Sequence, residues 1–350
     1  MLGGPVLLAG AVSWWLSGWF SRAGSRLFVL DHPNQRSLHT VPTPRTGGIA
    51  IMCGLLLGLL STILIRLLGS EQGPERLADG ATLLWMVVLA CLLAAVSFFD
   101  DRHGLPVWGR FAAHVLAASL FVTFGHSPLV KLSVPLFGTW ELGPLSIVSS
   151  VLFLVWMMNL YNFMDGMDGF AGGMTVIGGL CFAFLGWATD HRVMLIMSAL
   201  LAGSSAGFLV HNFPPARIFM GDVGSVPIGF VFGALILWAS HDGVFDLWVP
   251  LMIFSPFLVD ATVTLSRRIV RGERIWEAHR SHYYQRLVLA GWSHRKTVLF
   301  EYGLMVVCGI LAMSYHFGSD RQRAGALITV TMVYLALFVL VQSVERRAVS

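Results

Sequence analysis

The sequence predicts an all-α polytopic integral membrane protein with about eleven transmembrane helices. Hydrophobic residues make up 56% of the 350-residue chain, and charged residues only 12%. A soluble globular chain carries about 25% charged residues, so this composition excludes that class. Long apolar stretches also recur along the chain between short polar loops, and about 20 apolar residues suffice to cross a bilayer as a helix.

Eleven apolar stretches reach or approach a spanning length. The first has no basic residue before it and no small-residue cleavage site, so we expect a true helix rather than a removed signal. No linker, low-complexity segment or repeat divides the chain, and residues 1–350 are predicted to form a single membrane-embedded domain. The stretches are 2–20, 48–68, 81–99, 111–125, 147–163, 172–189, 193–210, 225–240, 246–266, 298–317 and 324–342.

Basic residues predict how the helices are oriented. With the N-terminus outside, 17 of the 23 Lys and Arg residues lie in inward loops or in the C-terminal tail. Positive residues favour the inner side, so the C-terminus is predicted to face inward. The net charge of +4 therefore reflects topology rather than nucleic-acid binding. Among the outward loops, residues 133–145 combine alternation with turn residues and predict a small hairpin.

The stretch NLYNFMDGMDGFAGG, residues 159–173, replaces an apolar run with amides, carboxylates and glycines. Asn159 and Asn162 are three residues apart, as are Asp165 and Asp168, so a helical turn would place each pair on one face. Glycine after each Asp lets the backbone approach a ligand closely. Carboxylates and amides at the mouth of an apolar segment suit a hard cation and phosphate oxygens. The alternative is a polar loop between two membrane helices.

Two further acidic motifs are predicted on the same inward face. Asp100 and Asp101 end an apolar run, and neighbouring carboxylates repel unless a cation neutralises them; the alternative is a solvated helix end. Asp222 lies between glycines in FMGDVGS, at the entrance to a helix expected near residue 225. Such an entrance suits an anion beside a metal-binding carboxylate, or Asp222 could cap the helix. Arg217, shortly before it, adds a cation suited to phosphate.

Basic residues dominate the inward loop 267–297. His279 and His282 are three residues apart, which permits a zinc site on a helix, but no third ligand accompanies them at a familiar spacing. Phosphate pairing, with Arg280 and Arg286 alongside, fits better. The alternative is that the loop only carries topological charge or contacts anionic lipid headgroups.

The first inward loop, residues 31–48, alternates basic groups with prolines. Prolines predict an ordered, non-helical strap, and Arg36, His39 and Arg45 suit phosphate. Farther along the chain, Asp260 lies inside an apolar run about two turns before Arg267. An ionisable group at that depth faces a protein interior or a site, so Asp260 is either a functional carboxylate or half of a structural ion pair.

These motifs resemble the polyprenyl-phosphate N-acetylhexosamine-1-phosphate transferase family, of the glycosyltransferase 4 type. The resemblance spans residues 31–287. Within the family, the chain most resembles the branch that initiates O-antigen or capsule synthesis. The matching pieces, in the family's order, are DHPNQRSLHTVPTPRTGG, the acidic pair at 100 and 101, NLYNFMDGMDG, FMGDVGS and the histidine loop.

The resemblance implies a transferase that moves N-acetylhexosamine-1-phosphate, of the GlcNAc, FucNAc or QuiNAc type, from a UDP-sugar to undecaprenyl phosphate. UMP would be released, and the reaction would initiate the synthesis of O-antigen or a related cell-surface polysaccharide. Mg²⁺ is the implied cofactor, which Mn²⁺ could replace. The implied location is the bacterial inner membrane, with a periplasmic N-terminus, a cytoplasmic active site and membrane lipid as partner. A homodimer is left open as the oligomeric state.

Carried over by position, Asp100, Asp101 and Asp222 are the implied catalytic residues, with one of the acidic pair deprotonating the lipid phosphate. The implied metal ligands are Asp222, Asp165 and Asp101. The implied substrate-binding residues are Arg36, His39, Arg45, Asn162, Asp168, Arg217, His279, Arg280, His282 and Arg286. One departure from the family is informative, because Tyr284 and Gln285 stand where relatives commonly carry further histidines of an HxHH motif.

Alternatives remain at the level of mechanism and of function. Direct attack by the lipid phosphate competes with a double displacement through an aspartyl-phosphate on Asp222. A peptidoglycan-type phospho-MurNAc-pentapeptide transferase is the nearest alternative activity. A proton-coupled transporter should place its carboxylates at mid-membrane, and a lipid-binding scaffold would lack metal dependence.

Overall fold

The computed structural model describes residues 2–22, 29–33, 37–69, 77–125, 127–134, 138–274 and 279–349. Long helices dominate these residues, which confirms the all-α prediction. Two short antiparallel ribbons accompany them, β1 Leu30–Asp31 with β2 Thr43–Pro44 and β3 Lys131–Val134 with β4 Gly138–Glu141. The second ribbon confirms the predicted hairpin. The helices are α1 Gly3–Phe20, α2 Gly47–Leu68, α3 Leu77–His103, α4 Val107–Phe124, α5 Leu145–Met164, α6 Phe170–Ala188, α7 Arg192–Asn212, α8 Asp222–His241, α9 Trp248–Ile253, α10 Ser255–Val270, α11 Tyr283–Leu289, α12 His294–Phe317 and α13 Asp320–Val349.

Nine helices within the described residues are long and apolar enough to cross a membrane, namely α2 to α8, α12 and α13. The remaining two predicted spans differ from these nine. Helix α1 has 18 residues but is less apolar, because three tryptophans and several glycines and serines interrupt its aliphatic residues. The predicted span 246–266 is divided at Phe254 into α9 and α10. Pro256 lies in the first turn of α10, where its missing N–H and its ring end the preceding helix. The number of spans and their sidedness stay predictions.

Helix α8 is the centre of the bundle. Nearly every residue from Val223 to Ala239 is buried, as expected for a helix that is apolar on all sides. Helices α2, α3 and α5 pack directly around it. Because α8 begins at Asp222, this packing brings that carboxylate to the middle of one end of the bundle.

The predicted strap before α2 is ordered and non-helical in the residues described. The Phe219 N–H donates to the Pro44 carbonyl at 2.7 Å, and the Gly47 N–H donates to the Phe219 carbonyl at 2.9 Å. Gly48 packs so closely on the backbone of Gly224 that a side chain at position 48 would collide with it. The strap is therefore fixed to the chain that leads into α8.

Candidate active site

Carboxylates from two helices meet at one end of the bundle. The C-terminal turn of α3 carries Asp100 and Asp101, and the first residue of α8 is Asp222. Arg110 on α4 lies between them, with its Nη1 atom 3.2 Å from Asp100 Oδ2 and 3.7 Å from Asp222 Oδ2. Arg45 Nη1 of the strap lies 3.4 Å from Asp101 Oδ1. The inward motifs therefore converge as the sequence predicts.

The two neighbouring aspartates differ in their partners. Asp100 is fully engaged, because Oδ1 accepts the Leu105 N–H at 2.5 Å and Oδ2 faces Arg110. Asp101 Oδ2 is buried and accepts no hydrogen bond from any described residue. A buried carboxylate oxygen without a partner is costly, so it indicates a position for a cation or a ligand donor. Of the pair, only Asp101 has a carboxylate oxygen without a partner among the described residues.

Gly221 allows the chain to turn into α8 beside these carboxylates. Its φ is +70°, in the left-handed region that favours glycine. A Cβ there would lie 3.1 Å from Asp101 Oδ2 and would collide with the Arg45 carbonyl. Gly221 rather than Asp222 is the N-cap residue, so the alternative that Asp222 caps the helix is wrong. Asn162 instead holds Asp222, donating from Nδ2 to Oδ1 at 2.8 Å.

Asp165 and Asp168 lie in the loop between α5 and α6, not on a helical face. Helix α5 ends at Met164, and Gly169 has φ +74° before α6 begins. The helical-face prediction is therefore wrong for this pair, because the Asp-Gly steps end the helix between the two asparagines and the two aspartates.

The two loop aspartates have different surroundings. Burial, together with the Asp222 and Asp101 carboxylates, raises the pKa of Asp165 well above its usual range. Asp168 Oδ2 accepts the Ala216 N–H at 3.0 Å and lies 3.4 Å from His294 Nδ1. Asp165 thus belongs, with Asp100, Asp101 and Asp222, to one acidic cluster at this end of the bundle. Asp168 instead fixes the loop that precedes α8.

Two cavities adjoin the acidic cluster and share Asn162 and Asp222. The polar cavity, about 250 Å³, lies under the strap. The interhelical cavity, about 190 Å³, lies between α3, α4, α5 and α8. Hydrogen-bonding residues of the polar cavity are Asp31, Ser37, His39, Arg45, Asn162, Asp165, Asp168, Asn212, Asp222, Gln285 and His294. The interhelical cavity combines Asp100, Arg110, His114, Asn159, Asn162 and Asp222 with Leu93, Val96, Val107, Phe111, Phe163 and Val226.

The strap contributes two of its three predicted residues to the polar cavity. His39 and Arg45 both line it. His39 Nε2 lies 3.7 Å from Asp31 Oδ2, and its ring packs edge-on against Phe219 at 4.9 Å between centroids. Arg36 lies outside the described residues.

Asp260 anchors the short helix α11. Its Oδ1 lies 3.1 Å from His282 Nδ1 and accepts the Tyr283 N–H at 2.9 Å, and its Oδ2 accepts the Tyr284 N–H at 3.2 Å. An ion pair of Asp260 with Arg267 is not formed, because Arg267 Nη1 donates to the Tyr283 hydroxyl at 2.8 Å. His282 therefore contacts Asp260 at the start of α11 and does not line the polar cavity.

The other basic residues predicted to bind substrate lie away from both cavities. Arg286 donates to both carboxylate oxygens of Glu345 on α13, at 2.7 and 2.6 Å. Burial, with the neighbouring His282, lowers the pKa of His279 to about 4. Arg217 and Arg280 are exposed. The structure brings none of these residues to the acidic cluster.

Several cavity residues, among them Arg110, Asn212, His294 and Gln285, are absent from the predicted site residues. Arg110 follows Asp100 by ten residues, and only the packing of α4 on α3 reveals its position. Asn212 holds two loops together, accepting the Gly169 N–H and donating to the Ile218 carbonyl, each at 2.9 Å. His294 and Gln285 lie in the histidine-containing loop, so that loop was the available signal.

Comparisons with known proteins show which family the chain resembles. The family described as glycosyl transferase family 4 matches residues 83–240. Decaprenyl-phosphate N-acetylglucosaminephosphotransferase of Mycobacterium leprae is 30% identical, over 97% of this chain and 90% of its own length. A probable undecaprenyl-phosphate N-acetylglucosaminyl 1-phosphate transferase of Bacillus subtilis is 31% identical, over 83% of this chain and 78% of its own. Phospho-N-acetylmuramoyl-pentapeptide-transferase of Moorella thermoacetica is 30% identical, over 77% and 83% respectively.

Proposed function

Because this chain belongs to glycosyl transferase family 4, within the polyprenyl-phosphate N-acetylhexosamine-1-phosphate transferases, we propose that it transfers an N-acetylhexosamine-1-phosphate from a UDP-sugar to undecaprenyl phosphate and releases UMP. The observation that carries this proposal is the meeting of a polar and an interhelical cavity at Asn162 and Asp222. A water-soluble donor and a lipid acceptor need this kind of junction.

The polar cavity suits the nucleotide sugar, because hydrogen-bonding groups line it. The interhelical cavity suits the lipid phosphate. Its inner end carries Arg110, which can pair with a phosphate. Its outer wall includes Phe111 and Phe163, which are 54% and 55% exposed on the bundle surface, where a polyprenyl chain can pack. The two substrates would thus reach the acidic cluster from different sides.

Asp101, Asp165 and Asp222 would hold Mg²⁺, or Mn²⁺ in its place. The unpartnered, buried Asp101 Oδ2 supports this fit, as does the crowding of carboxylates around Asp165. As they stand in this structure, the described residues include no group of three or more His, Cys, Asp or Glu side chains that could hold a metal ion by itself. Mg²⁺ fits such an incomplete set, because it keeps waters and binds substrate phosphates. When bound, the ion would neutralise charge on the diphosphate.

The reaction we propose is a direct displacement. An oxygen of the lipid phosphate forms a bond to the β-phosphorus of the donor, and the bond from that phosphorus to the bridging oxygen breaks. UMP leaves with the bridging oxygen. Asp100 or Asp101 would accept a proton from the lipid phosphate. Asp100 lines the interhelical cavity, whereas Asp101 carries the oxygen without a partner among the described residues.

O-antigen or a related cell-surface polysaccharide is the proposed product pathway, with a GlcNAc-, FucNAc- or QuiNAc-type donor. Transfer of phospho-MurNAc-pentapeptide is the second candidate, since a transferase of that name is 30% identical to this chain. Tyr284 and Gln285, in place of further histidines, favour the first candidate. We place the enzyme in the bacterial inner membrane.

The test incubates purified protein with undecaprenyl phosphate, Mg²⁺ and a panel of UDP-N-acetylhexosamines or UDP-MurNAc-pentapeptide, and identifies the lipid product by mass. Asp222→Asn should abolish transfer, whereas Asp320→Asn, which changes a fully exposed carboxylate, should not. No product with any donor, beside an active relative, would reject the assignment. Phosphorylated enzyme trapped with donor alone would reject direct displacement.

A further inference from the structure

Helix α11 presents one side chain to the polar cavity from a fixed position. Asp260 binds the first N–H groups of α11 from inside the bundle. On the other side, Arg286 and Glu345 tie the helix to α13. A residue between these two anchors has little freedom to move, and Gln285 is that residue.

Hydrogen bonding decides which end of the Gln285 amide faces the cavity. Its Oε1 atom accepts the His282 N–H at 3.3 Å, as in a capping box. A backbone N–H can only donate, so the oxygen must face His282 and the NH₂ group must face the other way. The Nε2 atom then points toward Gly166, where a Cβ would lie 3.4 Å from it. Gly166 itself lines the polar cavity.

The NH₂ group of Gln285 lacks an acceptor. The residue is only 6% exposed, and its Nε2 atom donates to none of the described residues. A donor that lines a cavity and has no acceptor in the protein is available to an acceptor on a ligand. A buried amide directed at a cavity is the arrangement by which a pocket recognises one oxygen of a ligand.

We propose that Gln285 is a specificity-determining residue that donates a hydrogen bond to an uncharged oxygen of the nucleotide-sugar donor. This inference rests on the proposed function and deepens it. The donated bond requires an acceptor, and the proposed function assigns the phosphate oxygens of the donor to the Mg²⁺ that Asp101, Asp165 and Asp222 would hold. The acceptor is therefore a hydroxyl or carbonyl oxygen, in the uridine or in the N-acetylated sugar. Since the amide does not titrate, this contact is independent of pH.

The test compares kcat and KM of wild type, Gln285→Ala and Gln285→Glu, with Gln342→Ala on the exposed side of α13 as the matched control. Gln285→Glu keeps an oxygen that accepts the His282 N–H and replaces the donating NH₂ group by a carboxylate oxygen, so it tests the contact even if Gln285→Ala does not fold. We expect the donor KM to rise about tenfold in both variants, as for one lost hydrogen bond. The KM for undecaprenyl phosphate and the control should not change.

Two further readouts separate this role from structural damage. A protonated carboxyl can donate, so the KM defect of Gln285→Glu relative to wild type should shrink from pH 8 to pH 5.5. A parallel rise in the Ki of UMP places the acceptor oxygen in the uridine, and an unchanged Ki places it in the sugar. A donor KM within twofold of wild type in both variants, or a kcat loss with unchanged KM, overturns the proposal. Absence of wild-type product with every donor would instead reject the proposed function.

Discussion

Gly166 and Tyr284 make a contact that a single methyl group should break. A Cβ on Gly166 would collide with the Tyr284 hydroxyl. Tyr284 is fully buried, and its ring packs on Phe170 at 4.7 Å between centroids, so it has no room to retreat. Overpacking of this kind costs about 1–3 kcal/mol. We therefore expect Gly166→Ala to lower the free energy of unfolding by about 2 kcal/mol.

Tyr284→Phe provides the complementary change. It removes the colliding oxygen, and that hydroxyl is buried with no partner among the described residues. The single variant should be within about 1 kcal/mol of wild type, because loss of an unpaired buried hydroxyl is nearly neutral. In the double variant the methyl group fits, so we expect a coupling energy of about 1–2 kcal/mol.

The assay is unfolding by SDS in mixed micelles for wild type, both single variants and the double variant. Gly303→Ala is the matched control, since no neighbouring atom lies within 4 Å of its added Cβ. It should be neutral or slightly stabilising. Effects of Gly166→Ala and Tyr284→Phe that add within about 0.5 kcal/mol would refute the steric explanation.

Three other perturbations test the site. Because the pKa of Asp165 is raised in the folded protein, ionisation of this carboxyl above that pKa destabilises the fold. Asp165→Asn should therefore raise the Tm of the metal-free protein at pH 8, and the gain should shrink as the pH falls through the pKa that Asp165 has in the folded state. A gain in Tm that does not depend on pH would contradict this explanation. Glu345→Gln should lower the free energy of unfolding by about 1 kcal/mol, since the Glu345 carboxylate is partly exposed, and should lower turnover in the transfer assay about tenfold because α11 is less firmly held. The control is Glu141→Gln, which changes an exposed ion pair. Equal turnover in the two variants would exclude a coupling between Glu345 and the site. Leu93→Trp should fill the interhelical cavity and raise the KM of undecaprenyl phosphate about tenfold, whereas a selective rise in donor KM would reverse the assignment of the cavities.

Hydropathy and charge were sufficient to predict nine of the eleven spans and the gathering of acidic motifs at one end. Both follow from local rules, because an apolar run must span and polar residues must lie outside it. The same rules do not separate Asp165 from Asp168, since both follow the same helix and both precede glycine. Their roles differ through distant partners, Asp222 for the first and Ala216 for the second.

Residues whose function depends on which side of a helix faces a neighbour escaped prediction. Arg110 lies in a helix that shows no polar motif, and it reaches the acidic cluster only because α4 packs against α3. The sequence shows Gln285 only as a position where relatives commonly carry histidine, and its place in the polar cavity depends on Asp260, which fixes the start of α11. The break at Phe254 depends on Pro256, which the hydropathy of the run 246–266 conceals.

The shared wall between the polar and interhelical cavities has a consequence for inhibitors. Asn162 and Asp222 are the residues that both cavities have in common. A single molecule with a hydrophilic head and an apolar tail could therefore extend past Asn162 and Asp222 and occupy both cavities. Once its head is bound, its tail meets the second space at a high effective concentration, and the entropic cost of association is met only once. Such a compound should compete with both substrates. A short linker between its head and its tail should be enough to reach both cavities.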